Sequence, residues 1–218
     1  MAKPKVHGVP PSPFVRKVRV ALAEKGVDYD LEIVSPFGMD ETTRKKTPLG
    51  KIPFFEEDDF TIADSSVIID YLEQTRPDPA LYPGGARERA QALFLEEYGD
   101  TKLADACGAV FFNRFVKPAI MKQESDEAAV ANALAELLPP LLDWLEEQIG
   151  DHEYFVGGRF SVADIAIATQ LRQLGIAGEP LDTVRWPQLG AHAQRIHARP
   201  SFKACIEGED QMIKAMQS

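Results

Sequence analysis

Cysteine is almost missing from this chain: Cys107 and Cys205 are the two among 218 residues. Two thiols build neither a disulfide framework nor a cysteine-based zinc site. Histidine is nearly as scarce, at four, and no HExxH occurs. His192 and His197 stand five apart, on different faces of a helix. The phosphate-cradling patterns GxGxxG and GxxxxGKS/T are absent, as is the GxSxG nucleophile turn. Metal hydrolysis, nucleotide-dependent chemistry and serine-hydrolase chemistry therefore lack sequence support. No apolar run approaches the roughly 20 residues that span a bilayer, and Met1 to His7 carry no hydrophobic signal core. There is no internal repeat and no low-complexity tract. Basic residues are short as well, Lys+Arg 24 against Asp+Glu 34, for a net charge of -10. Such a chain repels phosphate backbones, which argues against nucleic-acid partners. What is present, 44% hydrophobic and 27% charged residues, is ordinary globular composition. The expectation is a reduced, cytoplasmic protein with no metal, no membrane and no nucleic acid among its partners.

The chain changes character near residue 80. Before it, short β-like runs alternate with helical patterns. Val6 to Val9 reads as a strand, and Ser12-Pro13 opens an amphipathic stretch that runs to Lys25 and stops at Gly26. Asp28 to Val34 alternates, with Tyr29, Leu31 and Ile33 on one face. A short helix fits Asp40 to Lys46. Ile52-Pro53-Phe54-Phe55 and Phe60-Thr61-Ile62 flank the acidic stretch Glu56–Asp59 as a hairpin. Asp64-Ser65 begins a helix whose apolar face is Val67, Ile68, Tyr71 and Leu72. The predicted order is β-α-β-α-β-β-α over residues 1–77, with strands one and two parallel and the last pair antiparallel. Prolines 77, 79 and 83 and glycines 84 and 85 mark a linker over 78–85. Everything over 86–218 reads as helix. One very long helix is expected from Arg87 to about Phe115, and another from Asp126 to Ile149, kinked or broken at Pro139-Pro140. Ser161 to Leu174, Trp186 to Ala198 and a short piece after Pro200 complete an all-α part.

Three local constellations could carry chemistry. Ser12 precedes Pro13 at a helix start, where serine caps the backbone and proline is favoured. The same geometry lets a hydroxyl donate to a bound thiolate in the positive field of the helix end. Arg16, one turn in, either adds to that field or is a solvated charge. Ser12 has no nearby His or Asp in sequence, so a nucleophilic triad does not fit. Ile52-Pro53 opens a short strand, either as a trans edge proline or as a cis bond that turns the Ile52 backbone toward a pocket. Asp64-Ser65 has the residue types of a helix cap. Its free amides could equally bind a carboxylate, with Ser65 assisting and Asp64 orienting an ammonium group.

Taken together the segments resemble a known family. Pro11-Ser12-Pro13-Phe14-Val15-Arg16-Lys17-Val18-Arg19-Val20-Ala21-Leu22-Ala23-Glu24-Lys25-Gly26 is similar to the N-terminal signature of serine-type glutathione S-transferases, especially the tau and phi classes and their bacterial relatives. Thr47-Pro48-Leu49-Gly50-Lys51-Ile52-Pro53 resembles the family's Asn-Pro-x-Gly-x-Val/Ile-Pro segment, with Thr47 where Asn is usual. Asp64-Ser65 takes the Glu/Gln-Ser position. Phe155-Val156-Gly157-Gly158-Arg159-Phe160-Ser161-Val162-Ala163-Asp164 resembles the C-terminal hallmark, and Ser161 and Asp164 have capping-box spacing.

The resemblance implies an α/β thioredoxin-like, glutathione-binding domain at 1–77 and an all-α domain at 86–218 that contributes the electrophile site. It also implies a homodimer, for which the hydrophobic pair Phe54-Phe55 is a candidate contact. Glutathione would be the co-substrate, with no metal. Ser12 takes the place of the hydroxyl that activates the glutathione sulfur. Ile52, beside a cis Pro53, takes the place of the residue whose backbone pairs with the cysteinyl moiety. Lys51 takes a glycyl-carboxylate position, with Lys45 or Lys46 as further candidates, and Asp64 and Ser65 take the γ-glutamyl positions. Cysteine-type relatives carry Cys where Ser12 lies, and neither Cys107 nor Cys205 falls there. For a hydrophobic electrophile the candidates are Phe14, Phe111, Phe112 and Phe115, with Tyr98 as a neighbour, although aromatics at helical spacing are more often core. Asp100 and Asp105 are candidates for holding the glutathione amine or for a solvated face. The implied activity is transfer of glutathione to an electrophile, with reduction of organic hydroperoxides as a possible extension. The alternative is a non-catalytic binding or interaction module of the same fold.

Overall fold

Four strands form one mixed sheet in the computed structural model, which describes residues 3–217. They are β1 (Lys5–Gly8), β2 (Asp30–Ile33), β3 (Phe54–Glu57) and β4 (Phe60–Ala63), in the order β2-β1-β3-β4. β1 and β2 are parallel, with Val6 opposite Leu31. β3 runs antiparallel to β1 and β4, placing His7 opposite Phe54 and Phe54 opposite Ala63. Three helices connect and follow the strands: α1 (Pro13–Glu24), α2 (Glu41–Lys46) and α3 (Ser65–Thr75). The order is the expected β-α-β-α-β-β-α. Helix α1 begins on its serine cap with proline at its first position, buries Val15, Val18, Ala21 and Leu22, and ends before Gly26 at φ 64.

Three local expectations are corrected. The hairpin turn is only Asp58-Asp59, because Glu57 pairs with Phe60. Glu56 and Glu57 are strand residues, Glu56 bound to His7 and Lys46, and Glu57 to Tyr71 and Arg76. Phe54 and Phe55 are not surface contacts for a partner. Both are buried, at 2% and 0% exposure, because β3 lies inside the sheet between β1 and β4. In α3 the buried face is Ile68, Ile69 and Leu72, which pack toward α1 and the sheet, while Val67 points to solvent.

The described residues up to Leu81 form one compact unit together with Pro200–Lys214, and Tyr82–Arg199 lies in the second. The sequence reading gave all of 86–218 to one helical part. The exception is α10 (Pro200–Gln217), an 18-residue helix rather than a short piece. Its Glu209 grips Arg16 of α1 through two bonds of 2.7 and 2.8 Å, with both side chains fully buried. Phe202 is fully buried as well, and Ser201 bonds Glu24 at the end of α1. Arg16 is therefore neither a solvated charge nor a free source of positive potential.

In the second unit the chain is helical from Ala86 to Met121 as α4 (Ala86–Tyr98), a π-helical turn (Gly99–Leu103), α5 (Ala104–Phe111) and a wider π-helical stretch (Phe112–Met121). The run passes the expected end near Phe115 and carries Pro118 inside the π-helical stretch. The second run holds α6 (Glu127–Asn132), a π-helical turn (Ala133–Leu137) and α7 (Leu138–Ile149). Pro139 and Pro140 fall in the first turn of α7, directly after the π-helical turn, so they shift the hydrogen-bond pattern without interrupting the helix. α8 (Val162–Ile176) is the core of this unit and packs on α4, α5 and α9 (Pro187–His197). Gly99, in the π-helical turn between α4 and α5, packs closely on α8: a Cβ there would lie 3.2 Å from the Ala166 backbone. Asp164 anchors α8, accepting from the Ser161 N–H at 2.8 Å and the Phe155 N–H at 3.0 Å, and it meets His192 Nε2 at 2.8 Å.

Candidate active site

Strand register brings the three constellations together. β1 ends at Gly8, β3 begins at Phe54 beside His7, and β4 ends at Ala63 opposite Phe54. Because β3 is antiparallel to both neighbours, the segment after β1, the segment before β3 and the segment after β4 leave the sheet at one edge. Those segments carry Ser12, Ile52-Pro53 and Asp64-Ser65 respectively. Gly8 is the contact point: a Cβ there would lie 2.4 Å from Val15 Cγ2 and 3.5 Å from Ile52 Cβ, so a side chain would push the start of α1 away from Ile52.

Ser12 is half-buried and caps α1. Its Oγ accepts from the Val15 N–H at 3.4 Å, a long bond that leaves the hydroxyl hydrogen for another acceptor. Ile52-Pro53 is a cis peptide, and both residues are buried. Ile52 lies two residues before the start of β3, so its N–H and carbonyl lie outside the sheet pairing. Asp64 caps α3 at φ 84, a left-handed conformation uncommon for a residue other than glycine and frequent at ligand sites. Its Oδ1 accepts from the Ser66 and Val67 N–H groups at 3.0 and 3.2 Å, while Ser65 beside it is buried. The two helix starts are tied by Lys17, a fully buried lysine of α1 whose ammonium donates to Ser66 Oγ at 2.8 Å. Sequence inspection gave no sign of that tie, since Lys17 and Ser66 are 49 positions apart.

Lys51 is exposed. The other lysine candidates are held by acids: Lys45 pairs with Glu41 at 3.0 Å and Lys46 with Glu56 at 2.7 Å. His7 meets the second Glu56 oxygen at 2.6 Å and stacks on Phe54, 4.1 Å between ring centres. Burial holds His7 below the usual histidine range, outweighing the attraction of Glu56. Burial alone would raise the Glu56 carboxyl, but Lys46 and His7 reverse the sign and hold it low.

The remaining candidates divide between the units. Phe14 lies half-buried in the first turn of α1. In the second unit Phe111 and Phe115 stack at 5.1 Å; Phe115 is buried, and Phe112 beside them is exposed. Tyr98 is committed elsewhere. Its hydroxyl donates to the Leu141 carbonyl at 3.2 Å, its ring lies 4.5 Å from Trp144, and burial pushes its pKa up to about 12. Asp105 is exposed and Asp100 half-buried. Burial raises the thiols of Cys107 and Cys205, which suits packing and not nucleophilic chemistry. Among the described residues no group of three or more His, Cys, Asp or Glu is placed to hold a metal, and no helix is long and apolar enough to cross a membrane.

A mixed β2-β1-β3-β4 sheet with a capped helix after its first strand, followed by a helical part, is the thioredoxin-like plan with an all-α extension. Residues 6–80 match the glutathione S-transferase N-terminal domain, and residues 103–200 match the C-terminal domain. A glutathione S-transferase of Hyoscyamus muticus is 30% identical over 212 residues, 93% of this chain and 97% of that protein. A solved glutathione S-transferase from Rhodospirillum rubrum superposes with a TM-score of 0.85 at 28% identity, over 93% of this chain and 91% of the other. Another, from Methylobacterium radiotolerans in complex with glutathione sulfonate, gives 0.78 at 30% identity over 94% of each. This chain belongs to the glutathione S-transferase family.

Proposed function

We propose that the chain is a glutathione transferase: it binds glutathione at the sheet edge, deprotonates its thiol and presents the thiolate to a hydrophobic electrophile. The observation that carries this reading is the convergence of Ser12, the Ile52 backbone and Ser65 at one edge, with a helix starting at two of the three. In this reading the Ser12 O–H donates to the sulfur and the start of α1 stabilises the negative charge. Ile52 pairs with the cysteinyl backbone beside Pro53. The Ser65 hydroxyl and N–H at the start of α3 take the γ-glutamyl carboxylate, while Asp64 holds the Ser66 and Val67 N–H groups of that helix and faces the ammonium group. Lys51 takes the glycyl carboxylate. The sulfur lone pair forms the bond to an electrophilic carbon, the leaving group departs with its electron pair, and the thiol proton goes to solvent. Catalysis is then positioning and electrostatic stabilisation, with no metal. Phe14, half-buried in the first turn of α1, supplies apolar surface for the electrophile.

The same reading includes a homodimer in the cytoplasm. With Phe54 and Phe55 buried, its apolar contacts are the exposed Phe60 and Val67 of the first unit and Leu93 and Phe94 of the second. Sedimentation at micromolar concentration should give twice the 24.1 kDa chain mass; a monomer alone refutes the dimer. Activity is tested by retention on immobilised glutathione, followed by turnover of aryl halides, isothiocyanates and organic hydroperoxides. Retention with turnover of aryl halides or isothiocyanates supports the transferase, and turnover of hydroperoxides alone makes the site a peroxidase instead. Retention with none favours the binding module, and failure to bind overturns both.

A further inference from the structure

Thr47 stands where the family motif has Asn, and it is fully buried. All three of its polar groups are used. Its N–H closes α2 on the Thr43 carbonyl at 3.1 Å, its carbonyl accepts from the Gly50 N–H at 2.8 Å, and its hydroxyl donates to the Lys51 carbonyl at 2.7 Å. The last bond reaches the site. The Lys51 carbonyl and the Ile52 N–H belong to one planar trans peptide unit and point in opposite directions. Fixing the carbonyl on Thr47 therefore fixes the N–H of Ile52 on the other side. That N–H lies outside the sheet ladder, so β3 does not orient it by itself.

We infer that Thr47 is the positioning residue for the Ile52 backbone, and that its single hydroxyl sets the affinity of this chain for the cysteinyl part of glutathione. The inference rests on the proposed function. Thr47 touches no reacting atom and acts only through the Lys51–Ile52 peptide. The contact should therefore govern binding of the tripeptide and leave the thiolate chemistry at Ser12 alone. The motif's carboxamide is not needed, because a hydroxyl at this position already spans the gap.

The test reads the hydroxyl in two matched pairs in the full-length protein. Thr47→Val keeps the shape and removes the hydroxyl, and Thr47→Ala against Thr47→Ser repeats the comparison at smaller size. Calorimetric titration with S-methylglutathione measures affinity, and steady-state kinetics separates KM for glutathione from kcat. Losing the bond frees the part-buried Lys51 carbonyl, and with it the Ile52 N–H, to turn, so Thr47→Val and Thr47→Ala should each bind about tenfold more weakly than their hydroxyl partners. At saturating glutathione, kcat should stay within about twofold, and Thr47→Ser should restore the affinity. If Thr47→Val does not fold, the Ala and Ser pair decides. A fall in melting temperature with unchanged affinity makes Thr47 a structural residue and overturns the inference. Equal affinity of the Ala and Ser variants does the same. If wild type itself fails to bind S-methylglutathione, the proposed function falls first and the inference with it.

Discussion

Removing the Ser12 hydroxyl separates its two roles by size and by pH. As a cap, Ser12 contributes little. Its bond to the Val15 N–H is 3.4 Å long, near the outer limit of a useful hydrogen bond. Ser12→Ala should therefore cost about 0.5 kcal/mol, the low end of capping energies, which lowers the melting temperature by about 1–2 °C. As donor to a thiolate, the same hydroxyl makes a bond to a charged group, worth about 1.5–3 kcal/mol. At 1.36 kcal/mol per pKa unit, its loss raises the thiol pKa by roughly one to two units.

The consequence for turnover follows from the ionised fraction. An ordinary cysteinyl thiol titrates near 8.5. If Ser12 holds it at about 6.5–7.5, the thiolate fraction at pH 6.5 lies between roughly one half and one tenth, and in the variant it falls to about one hundredth. Turnover at pH 6.5 should drop about ten- to fiftyfold and partly recover at pH 9. S-methylglutathione has no thiol to ionise, so its affinity should stay near wild type. Ultraviolet titration of the thiolate band in both proteins reads the shift directly. Superimposable curves would refute the catalytic assignment and leave Ser12 as a cap.

Three further outcomes follow from the packing. Asp164 is fully buried and holds two backbone N–H groups, the Ser161 hydroxyl and His192, so Asp164→Ala should cost about 3–5 kcal/mol with glutathione affinity intact in the folded fraction; chemical denaturation checks this, and a cost under about 1 kcal/mol contradicts it. Glu209→Ala removes the carboxylate that faces the buried Arg16 guanidinium and should cost a similar about 3–5 kcal/mol, whereas Arg16→Met with Glu209→Leu should recover much of that, as a double-mutant cycle in urea would read. His7 and Glu56 both titrate below their unfolded values, so the unfolded chain binds more protons on acidification and stability is lost as pH falls, first below about 6.5 for His7 and then below about 4.5 for Glu56; His7→Gln should flatten the upper part of that slope in melting curves taken from pH 7 to 5.

The strands, the helix starts and the three converging segments were legible because each has a local signature. Ser12-Pro13 and Asp64-Ser65 are cap residues at helix starts, Ile52-Pro53 precedes an apolar strand, and each signal sits within a few residues of its cause. What failed depended on distance. Arg16 reads from sequence as either a helix-start charge or a solvated one because its partner Glu209 is 193 residues away, and nothing in α1 distinguishes a buried arginine from a solvated one. Phe54-Phe55 read correctly as strand and wrongly as surface, because burial depends on where β3 sits in the sheet order. Val67 failed for a related reason: an apolar residue in an amphipathic helix identifies a face only when the packing angle is known. The reach of α10 into the first unit was hidden altogether, since its apolar pattern is equally compatible with packing in either unit.

These long-range contacts change the electrostatic argument for the site. An acidic chain that binds an anionic tripeptide needs local positive field. Arg16 cannot supply it, since the carboxylate of Glu209 cancels its charge at 2.7 and 2.8 Å in a fully buried pair. Lys45 and Lys46 are likewise matched by Glu41 and Glu56. Sources at the site itself are the starts of α1 and α3 with their Phe14 and Ser65 N–H groups, the Lys17 ammonium that ties them, the Ser12 hydroxyl and the exposed Lys51. Asp64 uses its Oδ1 on the Ser66 and Val67 amides, so the Ser65 amide is the one in the first turn of α3 that this cap does not hold. Each of these sources acts over a few ångströms and follows the backbone that carries it. Affinity in this chain should therefore respond less to changes of net charge elsewhere than to anything that moves the start of α1, the start of α3 or the peptide between Lys51 and Ile52.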